Sequence, residues 1–168
     1  RNWPHTRKLI QLEASGDLSK PNYLKLPENL KELCFLKYEK QKLGETRTLL
    51  ESVTYKEPEE FLEYISTRNS DNTNVETIVD FTDTKLLVFN DVAPSFYTSF
   101  DDTYLVADAY NAAVDDTLKK AKTQAVAYLI PSWENRDDFV PDLPIDAFPA
   151  LEEEAKSTFF LVIKQMAN

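Results

Sequence analysis

The residues in this chain best able to do chemistry are its acids, which come in groups: Asp101-Asp102, Asp115-Asp116, Asp137-Asp138 and the run Glu152 to Glu154. Two carboxylates cleave a glycosidic bond, or hold two metal ions, only when they converge from different elements. Neighbouring residues in a strand point to opposite faces, so each Asp-Asp pair reads more simply as a turn or a cap. The rest of the catalytic vocabulary is sparse. His5 is the only histidine and lies in a basic segment, and one histidine cannot supply the usual metal ligand sets. Cys34 is the only cysteine, and its setting in LCFL predicts a buried small hydrophobe. With Gly16 and Gly44 as the only glycines, neither a phosphate-binding loop nor a nucleophile elbow can be built. Asp71-Asn72-Thr73-Asn74 offers oxygen ligands but lacks the glycine turn and the closing glutamate of a calcium loop. Trp3 with Arg1, Arg7 and Lys8 mixes an aromatic with cations, without the interleaved series of a single-strand binding surface. The expectation is a protein with no catalytic, metal or cofactor site.

Charge narrows the classes further. Residues 1–50 carry 10 basic against 6 acidic residues, and the remainder carries 9 against 23, for a net charge of −10. That balance argues against a DNA-reading domain, which needs a basic face to displace counterions. No stretch approaches the roughly 20 apolar residues of a membrane span, and the start has no apolar run of a signal peptide, so a soluble chain is expected. Arg1 stands where a natural chain has methionine, so a fragment, a processed form or an ordered portion of a longer chain is expected. At 168 residues the chain suits one domain with one core, 1–168.

The elements that must position these residues are short. In SFYTSFDDTYLVADAYN, residues 95–111, Phe96, Thr98 and Phe100 alternate with Tyr97 and Ser99, two acids interrupt, and alternation resumes through Tyr104, Val106, Asp108 and Tyr110. This predicts a hairpin turned by Asp101-Asp102. Further strands are predicted at 9–12, 23–26, 33–38, 49–55, 75–81, 86–89 and about 123–130, the last of which also suits a helix continuing from Asp115. The β-rich part is placed at about 75–130. One short helix is predicted from Pro58, with Glu59 and Glu60 at its positive end and Phe61, Leu62 and Ile65 on its apolar face. A long one is predicted from about Phe148 with Asp146 as its cap, its stripe of Leu151, Ala155, Phe159, Val162 and Met166 widened by Phe160 and Ile163. The fold class is therefore α+β: a short-stranded antiparallel β region with a long C-terminal amphipathic helix. The stripe is expected to hold that helix to its own core.

Several segments, taken in order, resemble the head-to-tail adaptor (connector) proteins of short-tailed bacteriophages. They are Trp3 entering the first strand, Tyr23-Leu24-Lys25-Leu26-Pro27, Pro58-Glu59-Glu60-Phe61 and Phe100-Asp101-Asp102. Then come Val114-Asp115-Asp116-Thr117-Leu118 through Lys122-Thr123-Gln124, and Phe148-Pro149-Ala150-Leu151 through Glu154-Ala155-Lys156-Ser157 to Lys164-Gln165. Such proteins usually carry helices ahead of the tryptophan-bearing segment, which this chain lacks.

The resemblance implies helices packed in a bundle with an inserted β region. It also implies a non-enzymatic virion protein at the head-tail junction, assembled in the host cytoplasm as a dodecameric ring. Its partners would be the portal protein, the tail nozzle protein and further copies of itself, with double-stranded DNA passing through the channel unread, and no membrane. Portal contact is expected at Phe160, Lys164 and Gln165, and contact with a neighbour or the tail at Tyr97, Tyr104 and Tyr110. Independently of the resemblance, a surplus of carboxylates suits a channel through which DNA slides without adhering. Two other classes fit the composition: a β-rich glycan-binding or tail-fibre-like module, and an acidic hydrolase.

Overall fold

A computed structural model describes residues 2–42 and 44–166, and most of its ordered backbone is β. The strands are β1 Arg7–Ile10, β2 Glu13–Ala14, β3 Tyr23–Lys25, β4 Leu30–Lys40, β5 Leu49–Tyr55, β6 Val75–Val79, β7 Lys85–Phe89, β8 Phe96–Thr98, β9 Tyr104–Ala107 and β10 Thr123–Leu129. Eight of them form one sheet in the order β1-β10-β4-β5-β8-β9-β3-β2, while β6 and β7 pair separately as a hairpin. The outermost strands, β1 and β2, are joined by Gln11 and Leu12 alone. Three Cα steps span at most about 11 Å, so the two edges of the sheet must meet and the sheet curls round on itself. Leu12, at the seam, is fully buried, and its N–H donates to Thr123 Oγ1 at 2.9 Å.

The expected packing of helices in a bundle is not what the chain adopts. The described residues form two α-helices, α1 Pro58–Ser66 and α2 Phe148–Met166. The first packs on β7 and β8 through buried Phe61 and Ile65, and the second buries no residue. Phe159, expected in the core, is 61% exposed. The interior is instead supplied largely by inward-facing residues of strands, the first of which begins at Arg7, together with Phe61 and Ile65 of α1. Nor is the sheet wholly antiparallel. β5 pairs with β8 in parallel, because the chain between them crosses over through α1 and the β6–β7 hairpin, long enough to return in the same direction. Segment 115–122 is irregular backbone and a short 3₁₀ stretch, not α-helix, and Asp146 lies in the 3₁₀ turn Ile145–Ala147 ahead of α2.

Cys34 is exposed, which corrects the expected burial. In β4, Leu36 and Tyr38 face the core, and strict alternation would turn Cys34 inward as well. The register against β10 slips there: Phe35 pairs with Val126 and Leu33 with Ala127, leaving Cys34 as the extra residue of a β-bulge. The bulge hands the inward position to Leu33, which packs against the core.

Candidate interaction surface

In the hairpin that the sequence singles out, Tyr97 pairs with Ala107 and Thr98 with Val106. Its acids turn the chain. Asp101 Oδ1 accepts from the N–H groups of Thr103 and Tyr104, both at 3.0 Å, and Asp102 takes the left-handed conformation at φ 57°. With so few glycines available, aspartate's short side chain makes it one of the residues able to hold that geometry. Asp83 does the same at φ 63° between β6 and β7.

The remaining acid groups are equally committed to local structure or lie apart. Asp115 pairs with Lys122, Asp138 and Glu134 flank Arg136, and Glu152 and Glu153 reach Lys156. No group of three or more His, Cys, Asp or Glu among the described residues is arranged to hold a metal ion.

The most enclosed charge is one that spacing did not reveal. Asp108 sits in the hairpin's second arm, yet its carboxylate meets Arg68, two residues past α1, at 3.0 Å, with both side chains about 5% exposed or less. Its other oxygen accepts from the N–H groups of Ser95 and Phe96 at 2.9 and 3.0 Å. Arg68 also donates to the carbonyls of Leu87 and Asp108, and its guanidinium lies 3.8 Å from the centre of the Phe89 ring. The pair thus ties α1, β7 and the hairpin together, and with both carboxylate oxygens engaged it is built to hold structure. Arg68 and Asp108 are 40 residues apart in the chain, so only the crossover through α1 brings them together.

The tyrosines expected as anchors are placed unequally. Tyr97 and Tyr110 are 8% and 5% exposed, and Tyr104 packs partly buried against the core. The Tyr110 hydroxyl donates to Glu76, and burial together with that carboxylate pushes its phenol pKa up. Burial does the same to Tyr97, which forms part of the wall of a cleft of about 490 Å³ beside Leu30, Leu33, Phe35 and Tyr55. Tyr23, which composition did not mark, is fully buried and donates to Asp80. Burial and that carboxylate raise the phenol, while burial of Asp80 is outweighed by the hydroxyl of Tyr23 and by Thr82, which hold the carboxyl below its usual value. The second arm of the hairpin, Leu105 to Tyr110, is therefore core, together with Tyr97 and Thr98 of the first.

The uncovered surface lies in the last 37 described residues. Every buried residue described falls between Thr6 and Ala127. From Ile130 to Met166 the chain forms an arm, an irregular linker followed by α2, that carries large apolar side chains in the open: Trp133, Val140 and Ile145, then Phe159 to Ile163. Phe160, expected at an interface, is 69% exposed, and Lys164 and Gln165 are exposed beside it. The first turns of α2 face Trp3, Pro4 and His5 across a cavity of about 720 Å³. No described helix is long and apolar enough to cross a membrane. No protein-family model matches the chain, and neither a curated protein nor a solved structure does.

Proposed function

We propose that this protein is a non-catalytic structural component of a short-tailed phage virion, a head-to-tail adaptor that assembles as a ring between portal and tail and forms part of the DNA channel. The observation that carries the reading is the arm: a 19-residue helix with no buried residue carries Phe159, Phe160, Leu161, Val162 and Ile163 in succession, a stretch apolar on every side between the polar turns at Glu152 to Glu154 and at Lys164-Gln165. A helix of that kind is stable in water only when other surfaces enclose it. The ordered segments from Trp3 to Gln165 support the choice of the adaptor class. The reading stands on those segments and on the arm, since the bundle that the resemblance implied is not the fold.

In this reading Phe160, Lys164 and Gln165 dock on the portal. The curled sheet is the rigid body from which the arm extends, and the net charge of −10 keeps passing DNA from adhering. The test is electron microscopy of purified portal particles mixed with the chain. A ring of added density at one end of the portal is expected, and Phe160→Ala with Lys164→Ala should abolish it while leaving the chain folded. Particles that stay bare with the unsubstituted chain, or turnover of a glycan by the chain alone, would overturn the proposal.

A further inference from the structure

The curled sheet opens along one seam. β5 pairs with β4 from Leu49 to Val53 and then turns to β8 at Thr54 and Tyr55, while β4 follows β10 from Leu36 back to Leu30. The two strands therefore part beyond the Leu36–Val53 pair. Between them lies the cleft of about 490 Å³, to which Leu26, Leu30, Leu33, Val53 and Leu105 give an apolar lining continuous with the core. A cleft of that size and lining, at the mouth of a sheet that closes on itself, is where small molecules bind.

One polar group in its wall lacks a partner. Tyr23, Tyr38, Tyr97 and Tyr110 are the buried tyrosines of the described residues. Tyr23 donates to Asp80, Tyr110 donates to Glu76, and Tyr38 accepts from the Lys119 N–H. The hydroxyl of Tyr97, a residue 8% exposed, bonds to none of the described residues; burial, and after it Tyr55, raises its phenol, so it remains a donor. Buried tyrosines ordinarily satisfy that group. Asn22 Oδ1 and Thr98 Oγ1 are also unpartnered but sealed in, whereas the Tyr97 oxygen is not, and the cleft is the opening that Tyr97 borders.

We propose that the cleft binds a small neutral molecule with an apolar ring and a hydrogen-bond acceptor, which takes the bond that Tyr97 donates. The lining selects the ring and the phenol selects the acceptor. Neutrality follows from where the charges are. Lys31, Glu32 and Asp102 are all exposed and stay hydrated at the rim, so a charged ligand would find no ionised partner in the apolar depth and would lose its own hydration. The seam also argues for a ring over a peptide. An added strand would hold β4 and β5 roughly 10 Å apart, twice the sheet spacing. Yet Tyr55, the partner of Tyr97, lies only two residues past Val53, where the two strands are still paired. No described residue of the arm lines the cleft, so it is open in the chain as it stands.

The probe is acetophenone, whose carbonyl can accept from Tyr97. The controls are 2-phenylpropene, of the same shape without an acceptor, and benzoate, which adds a charge. Binding to the whole chain is followed by amide NMR titration. Its location is read from Cys34, the only cysteine, which lines the cleft and whose alkylation a bound ring should slow. Acetophenone is expected to bind about fivefold more tightly than 2-phenylpropene, and benzoate more weakly than either. Tyr97→Phe should weaken acetophenone by the same factor, leave 2-phenylpropene unchanged, and melt no lower than the unsubstituted chain, because the hydroxyl holds nothing in the fold. Equal affinity for the two neutral compounds, tighter binding of benzoate, unaltered Cys34 alkylation, no binding at all, or a Tyr97→Phe chain that binds acetophenone as well as before would each overturn the proposal.

Discussion

The body, through Leu129, and the arm, from Ile130, are both rich in apolar residues, yet one buries them and the other does not. In the body the apolar residues alternate and meet across strands: Ala125, Ala127, Leu36, Tyr38 and Val53 face one interior from three neighbouring strands. In the arm they are consecutive, Phe159 to Ile163, on a helix that buries no residue. The comparison teaches that apolar content does not predict burial. A residue is buried when its neighbours in space are brought to it by pairing partners, and among the described residues none encloses Phe159 to Ile163.

Deleting matching side chains separates the two regions by the largest margin. Phe61→Ala in the body, where the ring is fully buried, is expected to cost about 3–5 kcal/mol in urea unfolding. Phe159→Ala in the isolated chain is expected to cost less than about 0.5 kcal/mol. A similar cost for both would mean that the arm folds onto the body in solution. Arg68→Ala should match Phe61→Ala, at about 3–5 kcal/mol, because it strands the Asp108 carboxylate in the interior. If Arg68→Ala melts like the unsubstituted chain, the pair does not tie α1 to the hairpin.

A smaller effect follows from pH. Burial pushes the Tyr38 phenol up to about 12, although the Lys119 N–H that its oxygen accepts, at 3.0 Å, pulls the other way. The unfolded phenol titrates near 10, so above that pH the unfolded state loses a proton that the folded state keeps. Stability from this group is complete below pH 10 and falls as pH rises toward 12, by about 2 kcal/mol. Tyr23, Tyr97 and Tyr110 are raised in the same direction and add to the fall. Denaturant titrations between pH 9 and 12 should show this slope, reduced in Tyr38→Phe, and removing residues 130–166 should leave it unchanged. A slope that depends on the arm would relocate the effect.

Smaller again is the turn. Asp102→Val is expected to cost about 1–2 kcal/mol, since a β-branched residue resists the left-handed conformation, and Asp102→Gly should be close to neutral by thermal melting. The smallest effect concerns the linker. Mild proteolysis should cut first between 130 and 147, and the trimmed body should melt within a degree or two of the whole chain, because no buried residue is lost.

Local physical chemistry is legible in the residues alone. Alternation and the two acids specify the hairpin of β8 and β9, Pro58 with Glu59 and Glu60 starts α1 where expected, and the run from Phe148 is helical. Each of these depends on φ/ψ preference and periodicity within a few residues. Tertiary structure alone decided the rest. The curling that brings β1 to β2, the parallel pairing of β5 with β8, the bulge that turns Cys34 outward and the meeting of Arg68 with Asp108 all depend on partners distant in the chain. It also decided that Tyr97 and Tyr110 are core and that the stripe of α2 is not. A periodic stripe shows that a surface must be covered, but what covers it is set by the position of the other elements, which periodicity does not encode.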